Sequence, residues 1–343
     1  MQEHIVKALL KPEVYDEKVS QIELIQTHIS FVFLTGNFVY KVKKAVNLGF
    51  LDFTTLKRRH FYCKRELELN KRLCKGMYIE VVPINRSKAT NAIKMKGDGE
   101  TIEYALKMKR MPQERMLSRL LEEQKVDTQL FDKIAKIIAK FHSKAKSNKE
   151  IREFGSTKVI ETNWIENFEQ TREFIGRTIS RAKFDSIQSE IINFIEKNHP
   201  LFRRRITDSR IRDCHGDIHS DNIFVTDGVY IFDTIEFNQR FRYSDVASDV
   251  AFLAMDLDFK GRTDLSEFFV GKYVEYSKDR DLKRLLPFYK CYRAYVRGKV
   301  ISFRLKDPNI KRTMMRFARK DAKAYFDLAF AYSKELHAAS SKH

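Results

Sequence analysis

The chain has 343 residues, of which 43% are hydrophobic, and it carries a formal net charge of +19. This length is enough for a large core and two lobes, and the composition excludes general disorder, a membrane-spanning helix and a secretory signal peptide. The four cysteines lie far apart and form no Cys-x-x-Cys pair, so we expect a cytoplasmic protein without a zinc site or disulfides.

The region from residue 1 to 111 is predicted to be mainly β-structure. Alternation of apolar and polar residues predicts strands in QIELIQT and in both halves of FVFLTGNFVYKVKK, which Gly36 and Asn37 join by a two-residue turn. Three more strands are predicted in YIEVVPI, AIKMKG and EYALKMKRM, and a glycine-containing turn separates the last two. Pro112 ends this β-rich region.

Between these strands, residues 53–73 are predicted to form one helix. Thr54 or Thr55 is suited to cap its N-terminus, because a threonine hydroxyl can accept a hydrogen bond from an amide of the first turn. The residues predicted to supply its apolar face are Phe61, Leu67, Leu69 and Leu73.

From residue 112 onward the predicted elements are mostly helices. Asp127 is suited to cap a helix with an apolar stripe, and two more amphipathic helices are predicted within residues 163–198. The stripe consists of Leu130, Ile134, Ile137, Ile138 and Phe141. One β-hairpin lies within residues 214–238. The sequence therefore predicts an α+β two-lobe fold, with a β-rich N-lobe (1–111) and a mainly helical C-lobe (112–343) that carries the hairpin.

Polar residues surround the predicted hairpin in CHGDIHSDNIFVTDGVYIFDTIEFN. Asp227 and Gly228 are typical of a type I′ turn, and with these two residues as the loop Asn222 lies opposite Asp233. Opposed Cβ atoms on one face are about 4.5–5.5 Å apart, so the two side chains are predicted to converge. An amide oxygen and a carboxylate at that spacing suit Mg²⁺, and Glu236 can add a ligand or orient one.

Asp217 precedes this hairpin on a loop, where its carboxylate can face a metal ion without binding it. That placement suits a phosphoryl transfer in which one acid accepts the proton of the attacking hydroxyl. His215 lies on the same loop, where an imidazole can hydrogen-bond to the backbone and fix the shape of the loop. We interpret the loop and the hairpin as parts of one phosphoryl-transfer site.

The pattern His215-x-Asp217-x4-Asn222, with Asp233 after a short hairpin, resembles the catalytic and metal-binding loops of the protein-kinase-like fold. The forms HGDIHSDN and FRYSDVASDVAFL are similar to the aminoglycoside phosphotransferase and choline kinase branch of that fold. The resemblance covers nearly the whole chain in lobe order. It implies that Asp217 is the catalytic base, that Asn222 and Asp233 are magnesium ligands, and that His215 organises the loop.

The same resemblance implies a strand lysine paired with a helix glutamate, which together hold the α- and β-phosphates of ATP. FVYKVKK offers Lys41, with Lys43 on the same face of the strand as the alternative. CKRELELNKRL offers Glu66, with Glu68 as the alternative. The sequence leaves both choices open.

LKMKRMPQ resembles the hinge between the two lobes of this family. The resemblance implies that the backbone of Lys109 and Met111 hydrogen-bonds adenine and that Met108 lines the adenine pocket. The first hairpin of the family usually covers the phosphates with a small or glycine-containing loop. This chain has THIS there, from Thr27 to Ser30, so hydroxyl groups such as that of Ser30 would replace the glycine amides.

The insertion NLGFLDFTT, between the lysine strand and the glutamate helix, is unlike the corresponding segment of ordinary kinases. It resembles a bacterial subgroup whose members are often fused to a C-terminal P-loop ATPase. The sequence contains no Gly-x4-Gly-Lys-Ser/Thr motif, so we expect that second domain to be absent from this chain.

We therefore predict a phosphotransferase that uses ATP, or GTP as an alternative, and Mg²⁺ to phosphorylate a hydroxyl of a small molecule. The positive net charge disfavours aminoglycosides, which are polycations, although Asp256 and Asp258 offer a local acidic patch. The alternative is a nucleotide-binding pseudokinase or regulatory module that acts on nucleic acid or protein through its basic surface. Nucleic acid is not a favoured partner, because the basic residues are spread along the whole chain.

Overall fold

The computed structural model of the chain describes residues 2–307 and 310–340. The chain forms two compact units. The first unit consists of the residues up to Glu123 together with 221–239, and the second consists of 124–220 and the residues from 240 onward. The hairpin segment therefore packs with the first unit, although it interrupts the second unit in sequence. The lobe boundary predicted after Met111 stays a prediction.

The first unit is built on a six-stranded antiparallel sheet. Its strands are β1 (Glu23–Gln26), β2 (Ser30–Leu34), β3 (Phe38–Lys43), β4 (Tyr78–Arg86), β5 (Ile93–Met95) and β6 (Glu100–Lys109). They lie in the order β1-β2-β3-β6-β4-β5, and each strand predicted in this region is present. The predicted turn at Gly36 and Asn37 is confirmed, because the Thr35 amide donates to the Phe38 carbonyl across it at 2.9 Å.

The remaining elements are mostly helices. In chain order the helices are α1 (Gln2–Leu9), α2 (Leu56–Asn70), α3 (Leu117–Glu122), α4 (Thr128–Lys144), α5 (Lys149–Glu153), α6 (Thr157–Thr171), α7 (Arg181–Lys197), α8 (His199–Thr207), α9 (Gln239–Arg242), α10 (Val246–Phe259), α11 (Thr263–Ser277), α12 (Leu282–Phe303) and α13 (Arg312–Ser340). Short strands are β7 (Ile211–Asp213), β8 (Ile223–Val225), β9 (Val229–Ile231) and β10 (Tyr243–Asp245). Within the described residues, no helix is both long enough and apolar enough to span a bilayer.

Strand β3 separates an apolar face of the sheet from a charged one. Tyr40 and Val42 are buried in an apolar cluster that includes residues of α1. Lys41 and Lys43 alternate with them and therefore lie on the other face, where they contact α2. The two-residue period of one strand thus places two ammonium groups against the same helix.

Helix α2 begins after Thr55, one of its two predicted caps, whose hydroxyl accepts a hydrogen bond from the Arg58 amide at 3.2 Å. The predicted apolar face is wrong at Phe61, which is 61% exposed. The buried face instead carries Arg59 and Glu66, because these side chains form ion pairs with residues of the sheet. Ion pairing, and not apolar contact alone, determines which side of α2 is buried.

The second unit is mainly helical, as predicted. Asp127 caps α4, since its carboxylate accepts a hydrogen bond from the Leu130 amide at 2.9 Å. The predicted stripe of α4 is buried at Ile134, Ile138 and Phe141. Helix α10 is buried along nearly its whole length, so two of its carboxylates, Asp249 and Asp256, lie inside the unit.

A buried ion cluster joins three parts of the second unit. Arg205 of α8 lies 2.7 Å from Asp245, the residue that caps α10, and it also contacts Asp279, which follows α11. All three side chains are almost completely inaccessible to solvent. Removal of one partner would leave an uncompensated buried charge, so this arginine is a structural residue of the unit.

The register predicted for the β8–β9 hairpin is wrong by one residue. Val225 pairs with Val229, so the loop has three residues instead of two. Neither Asp227 nor Gly228 has the positive φ that a type I′ turn requires at both central positions. The Asp227 carboxylate instead accepts a hydrogen bond from the Tyr230 hydroxyl at 3.0 Å, which stabilises the longer loop.

The shifted register changes the residue opposite Asn222. The Asn222 carbonyl accepts a hydrogen bond from the Phe232 amide at 3.0 Å, so Phe232 lies where Asp233 was predicted. Asp233 follows with a φ of 63°, in the left-handed region, so the alternation of β9 does not extend to it. The convergence of Asn222 and Asp233 therefore cannot be derived from strand register, and their shared metal site stays a prediction that rests on the resemblance.

Candidate active site

Two lysines of β3 share one carboxylate of α2. The Lys41 Nζ lies 2.8 Å from Glu66 Oε1, and the Lys43 Nζ lies 2.6 Å from Glu66 Oε2. Glu66 is fully buried, whereas Glu68 is exposed and pairs with Arg65 on the same helix. The structure brings together Lys41 and Glu66, as the sequence suggested, and it adds Lys43 to the same carboxylate.

Two further carboxylates reach these lysines from the segment after β9. Asp233 Oδ1 lies 2.7 Å from the Lys41 Nζ, and the Glu236 carboxylate contacts Lys43. The Tyr78 hydroxyl accepts a hydrogen bond from the Asp233 amide at 3.3 Å, which ties the same segment to β4. We call the following five residues the charge cluster: Lys41, Lys43, Glu66, Asp233 and Glu236.

The two halves of the charge cluster differ in exposure. The side chains of Lys41 and Asp233 are 14% and 43% exposed, whereas those of Lys43 and Glu236 are 1% and 5% exposed. The Phe53 ring covers Lys43, with its centroid 4.8 Å from the Nζ atom. Only the Lys41–Asp233 half can therefore meet a ligand without a rearrangement of the unit.

The attraction between opposite charges favours the ionised forms of Glu66 and Lys43, but not of Glu236. Burial raises the pKa of Glu66, but the attraction of Lys41 and Lys43 outweighs it and lowers that pKa to about 2. Burial lowers the pKa of Lys43, but Glu236 and Glu66 outweigh it and raise that pKa above its ordinary value. For Glu236 burial dominates over the attraction of Lys43, so its pKa is raised.

The predicted hinge residues follow directly on β6. Met108 and Met111 are buried in one apolar cluster, which agrees with a pocket wall. The Lys109 amide donates to the Met77 carbonyl at 2.8 Å, so it has no proton to offer to a nucleotide. Within the described part of the chain the Met111 amide has no acceptor, which leaves it as the available donor at this turn.

Ser30 is the first residue of β2, directly after the turn of the first hairpin of the sheet. The Ser30 amide donates to the Thr27 hydroxyl at 2.9 Å, so a side chain closes the turn that the family usually makes with small residues or glycine. Ser30 is fully buried and pairs with Lys43 in the sheet, and its own hydroxyl oxygen has no hydrogen-bond partner among the described residues. A contact between Ser30 and a phosphate stays a prediction.

In the second unit, one carboxylate holds the backbone of the loop that carries Asp217. The amides of His215 and Gly216 each donate to an oxygen of Asp249 at 2.8 Å. The His215 Nδ1 accepts a hydrogen bond from the Asp217 amide at 3.2 Å. His215 therefore contacts the backbone of its own loop, which is the contact expected of a loop organiser.

The environment of Asp217 keeps its carboxylate ionised. The His219 Nε2 lies 3.5 Å from Asp217 Oδ2. Burial raises the pKa of Asp217, but His219, Arg297 and His215 outweigh it and hold that pKa at about 2. At neutral pH the carboxylate can accept a hydrogen bond from a hydroxyl, and it can take the proton only as that hydroxyl becomes acidic during a reaction.

Sequence reasoning missed the role of Asp249 and misplaced two other carboxylates of α10. Asp256 accepts a hydrogen bond from the Ser220 amide at 2.9 Å, and Asp258 lies 2.7 Å from the Lys290 Nζ. The two side chains suggested as a local acidic patch are engaged within the protein, because Asp256 is buried and Asp258, whose side chain is 8% exposed, pairs with Lys290. The available signal was the helix VASDVAFLAMDLDF itself, since a carboxylate within so apolar a helix must find partners inside the protein.

Comparison with known proteins shows which family this chain belongs to. Residues 89–288 match the model of the phosphotransferase enzyme family. The chain belongs to this family. This match confirms, at the level of the family, the prediction that the chain is a phosphotransferase. It likewise confirms the prediction of a kinase-like enzyme.

Two curated relatives of this phosphotransferase are uncharacterized proteins of Mycobacterium tuberculosis (strain ATCC 25618 / H37Rv) and Mycobacterium bovis (strain ATCC BAA-935 / AF2122/97). Each is 33% identical over 280 residues, which cover 81% of this chain and 54% of the relative. The chain thus spans about half the length of the curated relatives it matches. An activity of such a whole protein can therefore only be proposed for this chain.

Among solved structures, the phosphotransferase is similar to a choline/ethanolamine kinase family protein from Mesorhizobium loti. The TM-score is 0.53, the sequence identity is 13%, and the match covers 97% of this chain and 99% of the other. At this identity the likeness shows the fold alone. The predicted α+β, protein-kinase-like fold with a β-rich N-lobe and a helical C-lobe is confirmed.

Proposed function

We propose that this phosphotransferase transfers the γ-phosphoryl group of ATP to a hydroxyl group, with Mg²⁺ as its metal ion. The observation that carries the proposal is the position of Lys41, whose ammonium contacts both Glu66 at 2.8 Å and Asp233 at 2.7 Å. A lysine that is held by a buried glutamate and lies beside a partly exposed acid is suited to bind phosphates next to a metal-binding carboxylate.

Lys41 is the phosphate-binding lysine in this proposal, and Lys43 is its support. Lys41 would exchange Asp233 for a phosphate oxygen, which frees the carboxylate to act as a ligand while the lysine stays neutralised. Lys43 is 1% exposed, and leaving its place would deprive buried Glu236 of its lysine partner and leave buried Glu66 with Lys41 alone. Removing one partner of a buried ion pair costs about 3–5 kcal/mol, so Lys43 stays with its carboxylates.

Asn222 and Asp233 are the proposed magnesium ligands. An amide oxygen and a carboxylate are hard oxygen donors, and Mg²⁺ prefers such ligands together with water and phosphate oxygens. When bound, the ion would neutralise the negative charge of the transferred group. We assign Glu236 to orientation and not to ligation, because its carboxylate is buried against Lys43.

Asp217 is the proposed catalytic base, and His215 shapes its loop. An ionised carboxylate can orient the acceptor hydroxyl and take its proton late in the transfer, when the oxygen has begun to bond to phosphorus. The pKa of about 2 supports orientation as the larger part of this role, because so weak a base does not deprotonate a free hydroxyl.

Adenine would bind at the turn after β6. The Met111 amide is the proposed donor to the ring, and buried Met108 lines the pocket. Lys109 can contribute only its carbonyl, because its amide already donates to Met77. A ring recognised in this way presents one acceptor and one amino group, as adenine does, which is why we propose ATP as the phosphoryl donor.

The proposed acceptor is a hydroxyl of a small molecule that is neutral or anionic. A chain with a net charge of +19 repels polycations at long range, and the two acids that could have formed a cation site already have partners within the protein. Aminoglycosides are therefore not the proposed substrates.

The test is a phosphoryl-transfer screen with γ-labelled ATP and Mg²⁺ against neutral, anionic and cationic hydroxyl metabolites. We expect transfer to at least one neutral or anionic metabolite and its loss in Asp233→Ala. The matched control is Glu68→Gln, which neutralises an exposed carboxylate on α2 and should leave transfer intact. The absence of both transfer and any thermal stabilisation by ATP would refute the proposal, whereas metal-dependent stabilisation without transfer would favour a pseudokinase.

A further inference from the structure

The first half of α13 and the residue before it concentrate positive charge. Between positions 311 and 323 the chain has six cations and a single carboxylate, Asp321. All seven side chains are exposed. The cations are Lys311, Arg312, Arg316, Arg319, Lys320 and Lys323.

Helical spacing places five of these cations on one side of α13. Apart from the adjacent Arg319 and Lys320, successive members are three or four residues apart, so a cation recurs about once per turn of ~5.4 Å over roughly 16 Å. The face of the helix that carries Ala318, Ala322 and Phe326 is buried within the second unit. We call the following residues the basic row: Arg312, Arg316, Arg319, Lys320 and Lys323.

The basic row is not neutralised by the protein. None of its side chains forms an ion pair with another residue in the ranges that the structure describes. Helix α2 is also rich in cations, but there Arg58 pairs with Asp52 and Arg65 pairs with Glu68. Among the described residues, the exposed lysines Lys57 and Lys64 of α2 have no ion pair either, but they are seven residues apart. The density of unpaired charge on α13 is therefore the local feature.

An exposed aromatic ring accompanies the basic row. Phe317 is 62% exposed and directly follows Arg316, and Met314 is 53% exposed one turn before it. These two residues make too small an apolar surface for insertion into a membrane, because the main apolar face of α13 is already packed inside the protein. A single exposed ring beside a line of cations is instead the combination that binds stacked bases and phosphates.

From this arrangement we infer that the basic row and Phe317 bind single-stranded nucleic acid. The cations contact successive phosphates of one strand, and the Phe317 ring stacks on an unpaired base. A duplex fits less well, because its bases are stacked on one another and offer no free face to the ring. This binding surface is independent of the phosphoryl-transfer chemistry, so either proposal can fail without the other.

The experiment measures the binding of a fluorescein-labelled, mixed-sequence RNA of about 20 nucleotides to the full chain by fluorescence anisotropy. The affinity is determined at several salt concentrations from about 50 to about 200 mM. For Arg316→Gln/Lys320→Gln/Lys323→Gln we expect weaker binding and a log–log salt slope that is smaller by about 2, since each lost phosphate contact removes about 0.7. For Phe317→Ala we expect an affinity about 5- to 100-fold lower with an unchanged slope.

Helix α2 and Lys71, the residue that follows it, supply matched controls. Lys57→Gln/Lys64→Gln/Lys71→Gln removes the same charge from exposed lysines, and Phe61→Ala removes a ring that is 61% exposed. Both controls should bind the RNA nearly as the unsubstituted protein does. All substituted side chains are exposed, and an unchanged unfolding temperature verifies that each variant is folded.

Two outcomes would overturn the inference. In the first, the α13 and α2 triple variants lose affinity equally, which would mean that net charge alone attracts the RNA. In the second, the protein does not bind the RNA but binds vesicles that contain phosphatidylserine in a manner that needs Phe317. That result would assign the basic row to an anionic membrane surface.

Discussion

The two units hold their functional side chains in different ways. In the first unit the charge cluster is held together by its own ion pairs, in which Lys41 and Lys43 share Glu66. In the second unit the loop of Asp217 is held through its backbone, because Asp249 accepts hydrogen bonds from two successive amides. A cluster of mutual ion pairs depends on charge balance, whereas a loop held by one carboxylate depends on that single acceptor. The same kind of substitution should therefore have different consequences in the two units.

Asp217→Asn should have the largest effect on activity, because the Asp217 carboxylate is the group proposed to touch the reacting hydroxyl. We expect kcat to fall by about 10²- to 10⁴-fold, the usual contribution of a positioned base. The affinity for ATP with Mg²⁺ should change little, since the nucleotide contacts are assigned to the first unit. Steady-state kinetics with an acceptor from the screen, together with calorimetric titration of the nucleotide, measure the two quantities. An unchanged kcat would remove Asp217 from the role of base.

Lys43→Met should have the largest effect on stability and tests whether charge balance holds the charge cluster. The substitution leaves Glu66 and Glu236 buried with only Lys41 to neutralise them. We expect the free energy of unfolding to fall by about 3–5 kcal/mol, the usual consequence of removing one partner of a buried ion pair. Urea denaturation followed by circular dichroism measures the change.

The double variant Lys43→Met/Glu236→Gln separates charge balance from packing. It removes one cation and one anion together, so Glu66 keeps Lys41 as a partner and no buried charge is left uncompensated. We expect it to regain most of the stability that Lys43→Met loses. If the double variant were as unstable as the single one, the packing of Lys43 against Phe53 would matter more than its charge.

Asp249→Asn tests the other arrangement, in which one acceptor holds a loop. An asparagine side chain has only one oxygen, so at most one of the two amides of His215 and Gly216 keeps its hydrogen bond. We expect a loss of about 2–3 kcal/mol in unfolding free energy and a fall in kcat, with the affinity for ATP unchanged. Asp321→Asn, an exposed carboxylate of α13, is the control. An equal fall in kcat and in nucleotide affinity would contradict the separation of roles between the units.

The sequence predicted those parts of the first unit that depend on local patterns. The period of β3 placed Lys41 and Lys43 on one face, and the turn at Gly36 and Asn37 and the cap at Thr55 follow from local hydrogen bonds. Such features are decided within a few residues of chain, so a single sequence contains the information that specifies them.

Features that depend on particular polar side-chain contacts were missed. Asp227 and Gly228 look like a type I′ turn, yet hydrogen bonds to the Asp227 carboxylate favour a three-residue loop and shift the register. Phe61 has helical spacing, but the ion pairs of Arg59 and Glu66 turn it toward solvent. Asp249 was overlooked because its partners lie more than 30 residues earlier in the chain. The errors at Phe61 and Asp249 come from polar contacts that are remote in sequence, whereas the hairpin error comes from a side-chain contact only three residues away that outweighs the usual turn preference.

Acid titration should distinguish Asp249 from Glu236 by the sign of its effect on stability. The pKa of Asp249 is raised by burial, but the hydrogen bond from His142 and the positive charges around it outweigh burial and lower it to about 2, from an ordinary 3.8. A carboxylate with a lowered pKa contributes stability that is complete above its unfolded pKa and is lost as pH falls toward the folded one. The contribution of Asp249 should therefore disappear between about pH 4 and pH 2, and it is worth about 2 kcal/mol.

Glu236 should behave in the opposite way, because burial raises its pKa. A carboxylate with a raised pKa contributes stability that is present below its unfolded pKa and is lost as pH rises through the folded one. At acid pH the free energy of unfolding of Glu236→Gln should therefore be closest to that of the unsubstituted protein. As pH rises, the free energy of unfolding of Glu236→Gln should increase relative to that of the unsubstituted protein. The stability difference of Asp249→Asn should instead be largest at neutral pH and shrink in acid. Unfolding free energies of the three proteins from pH 3 to pH 7 measure both trends, and parallel curves would mean that the two carboxylates are held in the same way.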